Sequence, residues 1–182
     1  LGWESLSVRK RLSRKMGCPV VLLNDVDAGI FGEYCFGAGR KARCVVGIFV
    51  GTGVGGGAVL EGKILRGKKY SCFEIGHMPV LPGGPLCGCG QRGCLEALSS
   101  RLAISAAAAQ AAYRGQAPCL LKTCGMDLSN IRSSALAESV RAGDKAVENI
   151  IRNAASWIGT AAAGIIHLLL PDVIVLGGGV VE

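Results

Sequence analysis

The chain has 182 residues, half of them hydrophobic and 18% charged, so it is not a disordered segment, and it is long enough for one domain or parts of two with a proper core. Its 28 glycines follow no period, which excludes a collagen-like repeat. The net charge of +7 comes largely from separate clusters (Arg9 to Lys15, Arg40 to Arg43, Lys63 to Lys69) without interleaved aromatics. That reads as solvated faces, or as a field favouring anionic phosphate substrates, before it reads as a nucleic-acid stripe.

In chain order, Ser5 to Met16 predicts a basic surface helix with Leu6, Val8 and Leu12 apolar, ending at Gly17. Pro19 to Leu23 is a short apolar run and predicts a buried strand. It ends in Asn24-Asp25, and Val26 to Tyr34 predicts a helix. Cys44 to Val50 is rich in β-formers. A glycine turn, Gly51-Thr52-Gly53-Val54-Gly55-Gly56-Gly57, follows, and Ala58 to Leu60 resumes the apolar run. Glu61-Gly62-Lys63 is a hairpin signal, with Ile64-Leu65 as the returning strand.

Ser99 to Tyr113 predicts one alanine-rich helix, and Arg114 to Asn130 an irregular connection. A short helix is expected over Ser133 to Arg141. Asp144 is expected to cap a long helix whose apolar positions Val147, Ile150, Ile151, Ala154, Ile158, Ala161 and Ile165 keep the 3.6-residue period. Beyond Trp157 that helix is apolar all round and should run through the interior. At Ala154 to Leu170 the apolar stretch is shorter than the roughly 20 residues of a membrane span and contains His167, so a core helix is the better reading. Pro171-Asp172 ends it, and Val173 to Leu176 predicts a buried strand entering Gly177-Gly178-Gly179.

Four segments carry candidate chemistry. His77, Cys87, Cys89 and Cys94 supply one nitrogen and three sulfurs, the donor set of a closed tetrahedral zinc site. Buried cysteines are often mere hydrophobes. Here, though, three fall within eight residues of a loop rich in glycine and proline, which has little capacity for a core. Glu74 and Glu96 bracket the ligands and suggest that something polar binds beside the metal. Nine cysteines, an odd number, with no signal-peptide pattern and a metal-like cluster, fit a reducing cytosol better than a disulfide scaffold.

The second segment, Gly51 to Gly57, offers backbone N–H groups and the Thr52 hydroxyl to phosphate oxygens. It lacks the Gly-Lys-Ser/Thr of a P-loop, and a hairpin rather than a helix follows it, unlike the dinucleotide fingerprint. A structural hairpin with bulges explains the glycines equally well. The third, Asn24-Asp25, closes a strand, where a carboxylate beside an amide could take a proton from a hydroxyl; helix capping is the competing explanation. The fourth, Gly177 to Gly179, is a strand-end turn against which a nucleotide base or ribose could pack.

Taken together these segments resemble the ROK family of sugar kinases and sugar-responsive repressors. The resemblance rests on Glu74-x-Gly-His77 with Cys87-x-Cys89-Gly90-x-x-Gly93-Cys94-x-Glu96, on Asn24-Asp25 after Pro19-Val20, on Gly51 to Gly57 followed by Gly62 and Gly67, and on Pro171-Asp172 through Gly179. It spans nearly the whole chain. It implies an α/β actin-like ATPase (ribonuclease H-like) fold, a mixed sheet flanked by helices with a zinc-binding loop. Residues 1–23 would close an N-terminal lobe and 24–182 make most of a C-terminal lobe. The family's N-terminal phosphate loop and final helices have no counterpart here, so truncation at both ends is expected.

The implied activity is an ATP-dependent, glucokinase-like transfer to a hexose or N-acetylhexosamine, with ATP, Mg²⁺ and structural Zn²⁺, in a cytoplasmic homodimer when full length. Asp25 would be the general base. Asn24, Glu74, His77 and Glu96 would bind sugar hydroxyls, with His77 also on zinc. Gly51, Thr52 and Gly53 would face phosphates, and Gly177, Gly178 and Gly179 the adenosine. The alternative is the sugar-sensing part of a repressor, in which a helix-turn-helix ahead of this region would contact DNA. Intact glycines and the Asn-Asp pair favour the kinase. Asp27 stands where the family often has a neutral residue.

Overall fold

The structure, a computed structural model, describes residues 6–67 and 72–181. The start of the first predicted helix at Ser5 and the basic residues Lys68 and Lys69 lie outside the described residues. A four-stranded mixed sheet organises the chain, in the order β3-β2-β1-β4. Strands β1 (Cys44–Val50) and β2 (Val54–Leu60) are antiparallel, and β3 (Lys63–Ile64) extends β2 through the expected Glu61-Gly62 hairpin. Strand β4 (Val173–Gly177) runs parallel to β1 on its other side.

Strand β1 is an unbroken apolar run because helices cover both of its faces. Val45 joins Ile30 and Val59 in one small core. Val46, Ile48 and Val50 face the opposite way, into a core with Ile75, Leu95, Ala161 and Ile165. The first face is covered by α2 (Asp25–Phe36) and the second by α3 (Leu95–Ser99) and α7 (Lys145–Leu169). Beside the sheet, α4 (Arg101–Tyr113), α5 (Pro118–Cys124), α6 (Ser133–Arg141) and the first half of α7 enclose a separate helical core. Its buried residues include Ile104, Leu120, Ile131, Leu136 and Val147. The basic helix α1 (Val8–Met16) buries none of its side chains.

Several expectations need correction. Pro19 to Leu23 is not a strand: it pairs with nothing among the described residues, and Val21 and Leu22 are 79% and 53% exposed. An apolar run becomes a strand only where a neighbouring ladder takes up its N–H and C=O groups, and the sheet ends at β3 on one side and β4 on the other. The alanine-rich helix is present but starts at Arg101 rather than Ser99, because Ser100 takes an extended conformation (φ −67, ψ 157) and caps it through Ala103 N–H, while Ser99 ends the short α3 before it. The irregular connection holds α5, which starts with Pro118 at its first position, a placement that suits a residue with no N–H.

Asp144 precedes α7 as expected, yet its side chain does not cap that helix. It reaches α5, accepting from Leu120 N–H at 2.8 Å and Cys119 N–H at 3.2 Å, and from the Ser139 hydroxyl at 2.6 Å. The second half of α7 is not enclosed: Ala161 and Ile165 are buried, while Ile166 and Leu168 are exposed. The periodicity located the buried face, but all-round apolarity did not decide what covers the other. Strand β4 is half-buried rather than buried, since among the described residues β1 alone pairs with it. Among the described residues no helix is long and apolar enough to cross a membrane.

Candidate active site

The glycine turn is tighter than its sequence implies. Only Gly51-Thr52-Gly53 forms a loop, closed by the Val50–Val54 pair and by Gly51 N–H donating to Gly53 O at 2.9 Å. Gly55, Gly56 and Gly57 are strand residues and serve packing: Gly55 and Gly57 lie under Val26 and Ile30 of α2, and Gly56 lies under Ile75 on the other face. The competing structural explanation thus accounts for the second half of the run, and the first half is free to meet a ligand.

Val54 is the meeting point of the candidate segments. Its N–H donates to Glu96 Oε2 at 3.0 Å, which draws the start of α3 onto the loop. Its carbonyl lies against Gly76, in the 3-10 turn Ile75–His77, so closely that no Cβ would fit there. Its neighbour Gly55 touches Val26, the second residue of α2. The 3-10 turn at Gly76, the Gly51–Gly53 loop and Glu96 thus meet at the start of β2, and the helix that begins at Asn24-Asp25 packs beside them through Val26.

Asn24 is the N-cap of α2: its Oδ1 accepts from Val26 N–H at 2.9 Å and Asp27 N–H at 3.3 Å. The oxygen is committed to the helix, which leaves the amide NH₂ as the group available to a ligand. Asp25 is exposed, with Oδ1 accepting from Val26 N–H at 3.0 Å and a second oxygen open to solvent. Asp27, by contrast, is buried, its carboxylate directed toward Gly57. Glu74 is exposed at the start of the 3-10 turn.

The cysteine loop is folded back on itself by bridges between Pro79 and Cys94 and between Leu86 and Arg92, with Cys87 N–H donating to Gln91 O at 2.8 Å. This brings His77, Cys87, Cys89 and Cys94 together, with ligand atoms all within 4.8 Å of one another. Cys87 Sγ lies 3.6 Å from His77 Nδ1 and Cys89 Sγ lies 3.7 Å from Cys94 Sγ. A tetrahedral zinc ion with its usual bond lengths sets such pairs roughly 3.6 and 3.75 Å apart. The sulfurs are far too distant for a disulfide. Burial, then the neighbouring Cys89 and Cys87 thiols, push Cys94 up to about 12. The N–H of Gln91 holds Cys89 below its ordinary range. Closely packed thiols of this kind suit a cation that takes them as thiolates.

A cleft of about 830 Å³ opens beside the loop, lined by Gly51, Thr52, Arg101, Arg132, Ser133 and Gly179 among others. A second, of about 440 Å³, lies between Thr52-Gly53, Glu96 and the cysteine loop at Cys87-Gly88. Neither is lined by Asn24, Asp25, Glu74 or His77. Of the three terminal glycines, Gly179 alone lines the larger cleft. Gly177 packs on the Phe49 ring, and Gly178, at φ +97, sits hard against the backbone of Val50.

Arg101 and Arg132 went unremarked in the sequence. Arg101 donates to Thr52 Oγ1 at 3.0 Å, and its N–H donates to Gly51 O at 2.9 Å. Arg132 donates from Nε to Ser129 O at 3.3 Å, and Ser133 Oγ donates to Gly179 O. The signal for Arg101 was Ser100, a capping residue three positions ahead of the Ala103 N–H that it satisfies. A helix starting there turns its first residue toward the loop.

The model of the ROK family matches residues 1–182. The chain is 34% identical to a glucokinase of Thermotoga maritima over 98% of its own length and 56% of the relative's. It is 36% identical to an N-acetylmannosamine kinase of Vibrio vulnificus, over 95% and 54% of the two chains. Among solved structures, a ROK family glucokinase from Streptomyces griseus in complex with glucose and AMPPNP superposes with a TM-score of 0.84 at 35% identity. That alignment covers 99% of this chain and 58% of that one. The fold is thus the one expected, that of the actin-like ATPases, and the chain spans little more than half the length of these relatives.

Proposed function

The chain belongs to the ROK family, and on that premise we propose that it carries the sugar-facing and nucleotide-facing parts of a cytoplasmic, ATP-dependent kinase acting on a hexose or N-acetylhexosamine. The observation that carries the proposal is the convergence on Val54. Helix α2, whose N-terminus carries the capped Asn-Asp pair, packs through Val26 on Gly55, next to the Val54 whose N–H donates to Glu96 beside the Gly-Thr-Gly hairpin.

In this reading Asp25 uses its open oxygen to take the proton of the attacking hydroxyl, while the Asn24 amide orients that hydroxyl. Glu74, His77 and Glu96 accept from or donate to the remaining hydroxyls, and each rejects a sugar with the wrong pattern. Gly51, Thr52 and Gly53 meet the phosphates, and Gly179 meets the nucleoside, with Gly177 and Gly178 packed on Phe49 and Val50 behind it. Phosphoryl transfer asks little of the protein beyond positioning and charge neutralisation. Mg²⁺ would bind chiefly through the phosphate oxygens, with the open oxygen of the Asp25 carboxylate as the candidate protein ligand. His77, Cys87, Cys89 and Cys94 would hold zinc, whose contribution is to fix the loop leading into Glu96.

The test is phosphorylation of a panel of hexoses and N-acetylhexosamines by the full-length protein with ATP and Mg²⁺, wild type against Asp25→Asn. The substitution should lower kcat by roughly 10²–10⁴-fold, with sugar affinity little changed. Turnover close to wild type would show that Asp25 only supports the helix. The family also holds sugar-responsive repressors. A wild type that binds a sugar yet phosphorylates none would replace the kinase reading with a sensor.

A further inference from the structure

We propose that Arg101 reads the outer phosphates of the bound nucleotide, from a position fixed by the Gly51-Thr52-Gly53 loop. The inference rests on the kinase reading and deepens it. The lining of the larger cleft contains two guanidiniums, Arg101 and Arg132, the hydroxyls of Thr52, Ser129, Ser133 and Ser134, and no carboxylate. A concave surface of that composition selects a polyanion.

Arg101 is held at its backbone, through Gly51 O, and at its tip, through Thr52 Oγ1. The Thr52 bond uses one of the five N–H donors of the guanidinium. Among the described residues Arg101 forms no ion pair with a carboxylate. Its charge therefore stands unneutralised beside the hairpin loop, in the fork geometry that grips phosphate oxygens in pairs. Arg132 is tied to Ser129, next to Ser133 and Gly179, at the end where the nucleoside would lie. Both cations line the same cleft. Arg101, on the loop side, meets the β- and γ-phosphates, and Arg132 stands nearer the nucleoside.

The experiment is calorimetric titration of the full-length protein with ATP, ADP, AMP and glucose, for wild type, Arg101→Met and Arg101→Lys. A charge-assisted hydrogen-bonded contact sets the expected loss: Arg101→Met should bind ATP roughly ten- to a hundredfold more weakly. Its affinity for AMP and glucose should stay within about threefold of wild type, which also shows that the variant is folded. Arg101→Lys, which keeps the charge without the fork, should fall between the two. Equal losses for ATP and AMP would reduce Arg101 to a brace for Thr52, and unchanged ATP affinity would remove it from the site. A wild type that binds no nucleotide overturns the kinase reading itself, which separates that failure from a failure confined to Arg101.

Discussion

Replacing Gly53 by alanine is a sharp test of whether Glu96 serves the sugar from its place on the loop. A methyl group built on Gly53 falls onto Glu96 Oε2, and nothing else lies near it apart from the rest of that carboxylate. The obstacle is the tip of a side chain, so the backbone need not move; the carboxylate swings away and gives up Val54 N–H, now accepted at 3.0 Å. A hydrogen bond to a charged group contributes about 1.5–3 kcal/mol, and that is the energy by which Glu96 is held in its present position. If this position is the one that meets a sugar hydroxyl, Gly53→Ala should weaken glucose binding about ten- to 150-fold. The melting temperature should change by only a few degrees, because the loop is at the surface and the strand pairing is intact. The assay is titration of glucose into the full-length variant, with Glu96→Gln and the double variant alongside. The two substitutions should be strongly non-additive, since both act on one carboxylate. Additive losses, or glucose affinity within twofold of wild type in Gly53→Ala, would refute the placement of Glu96 in the sugar site.

Purified full-length protein should contain one zinc per chain by elemental analysis, and Cys89→Ser with Cys94→Ser should contain almost none; unchanged metal content would sink the assignment. Because the ligands must lose their protons, zinc should also leave as the pH falls, followed by a chromogenic chelator. Asp144→Ala should destabilise the chain by about 3 kcal/mol in urea titration, since it strips partners from the buried Leu120 N–H and Ser139 hydroxyl; a loss under 1 kcal/mol would show that water replaces them. Burial pushes the Asp144 carboxyl up, but the bonds from Ser139, Leu120 and Cys119 outweigh it and hold the group below its usual range. A depressed folded value means that this stability is fully present above the unfolded pKa, near 3.9, and is lost as the pH falls below it. Wild type should therefore lose stability more steeply than Asp144→Ala in that acid range, as read from urea midpoints.

The parts of the site whose chemistry is local could be read from the residue string. The His-Cys-Cys-Cys donor set, the extent of β1 and the α6 boundaries needed no knowledge of distant neighbours, and the structure has them at the expected residues. What escaped depended on partners far along the chain. The Pro19–Leu23 run has strand composition but joins no ladder among the described residues. The capping power of Asp144 went to α5 rather than α7, because the helices pack so that Leu120 lies closer. Gly55 to Gly57 looked like ligand-binding residues because a glycine that admits a phosphate and a glycine that admits a helix are written with the same letter. Arg101 was hidden because the helix was started at Ser99, which left Ser100 inside it instead of at its cap.

The three-residue loop between β1 and β2 also constrains how this sequence can change in length. Gly55 and Gly57 must lie beneath α2, while Val54, Gly56 and Ala58 look toward Ile75 and the second core. A strand repeats every two residues, so one residue added or removed within Gly51 to Gly53 would exchange those two sets across the sheet. Val54 would then press into α2, and the glycines would leave holes on the opposite side. Descendants of this chain can lengthen the exposed Arg114–Gln116 turn at little cost, whereas an insertion at Thr52 would have to arrive together with a rewritten β2.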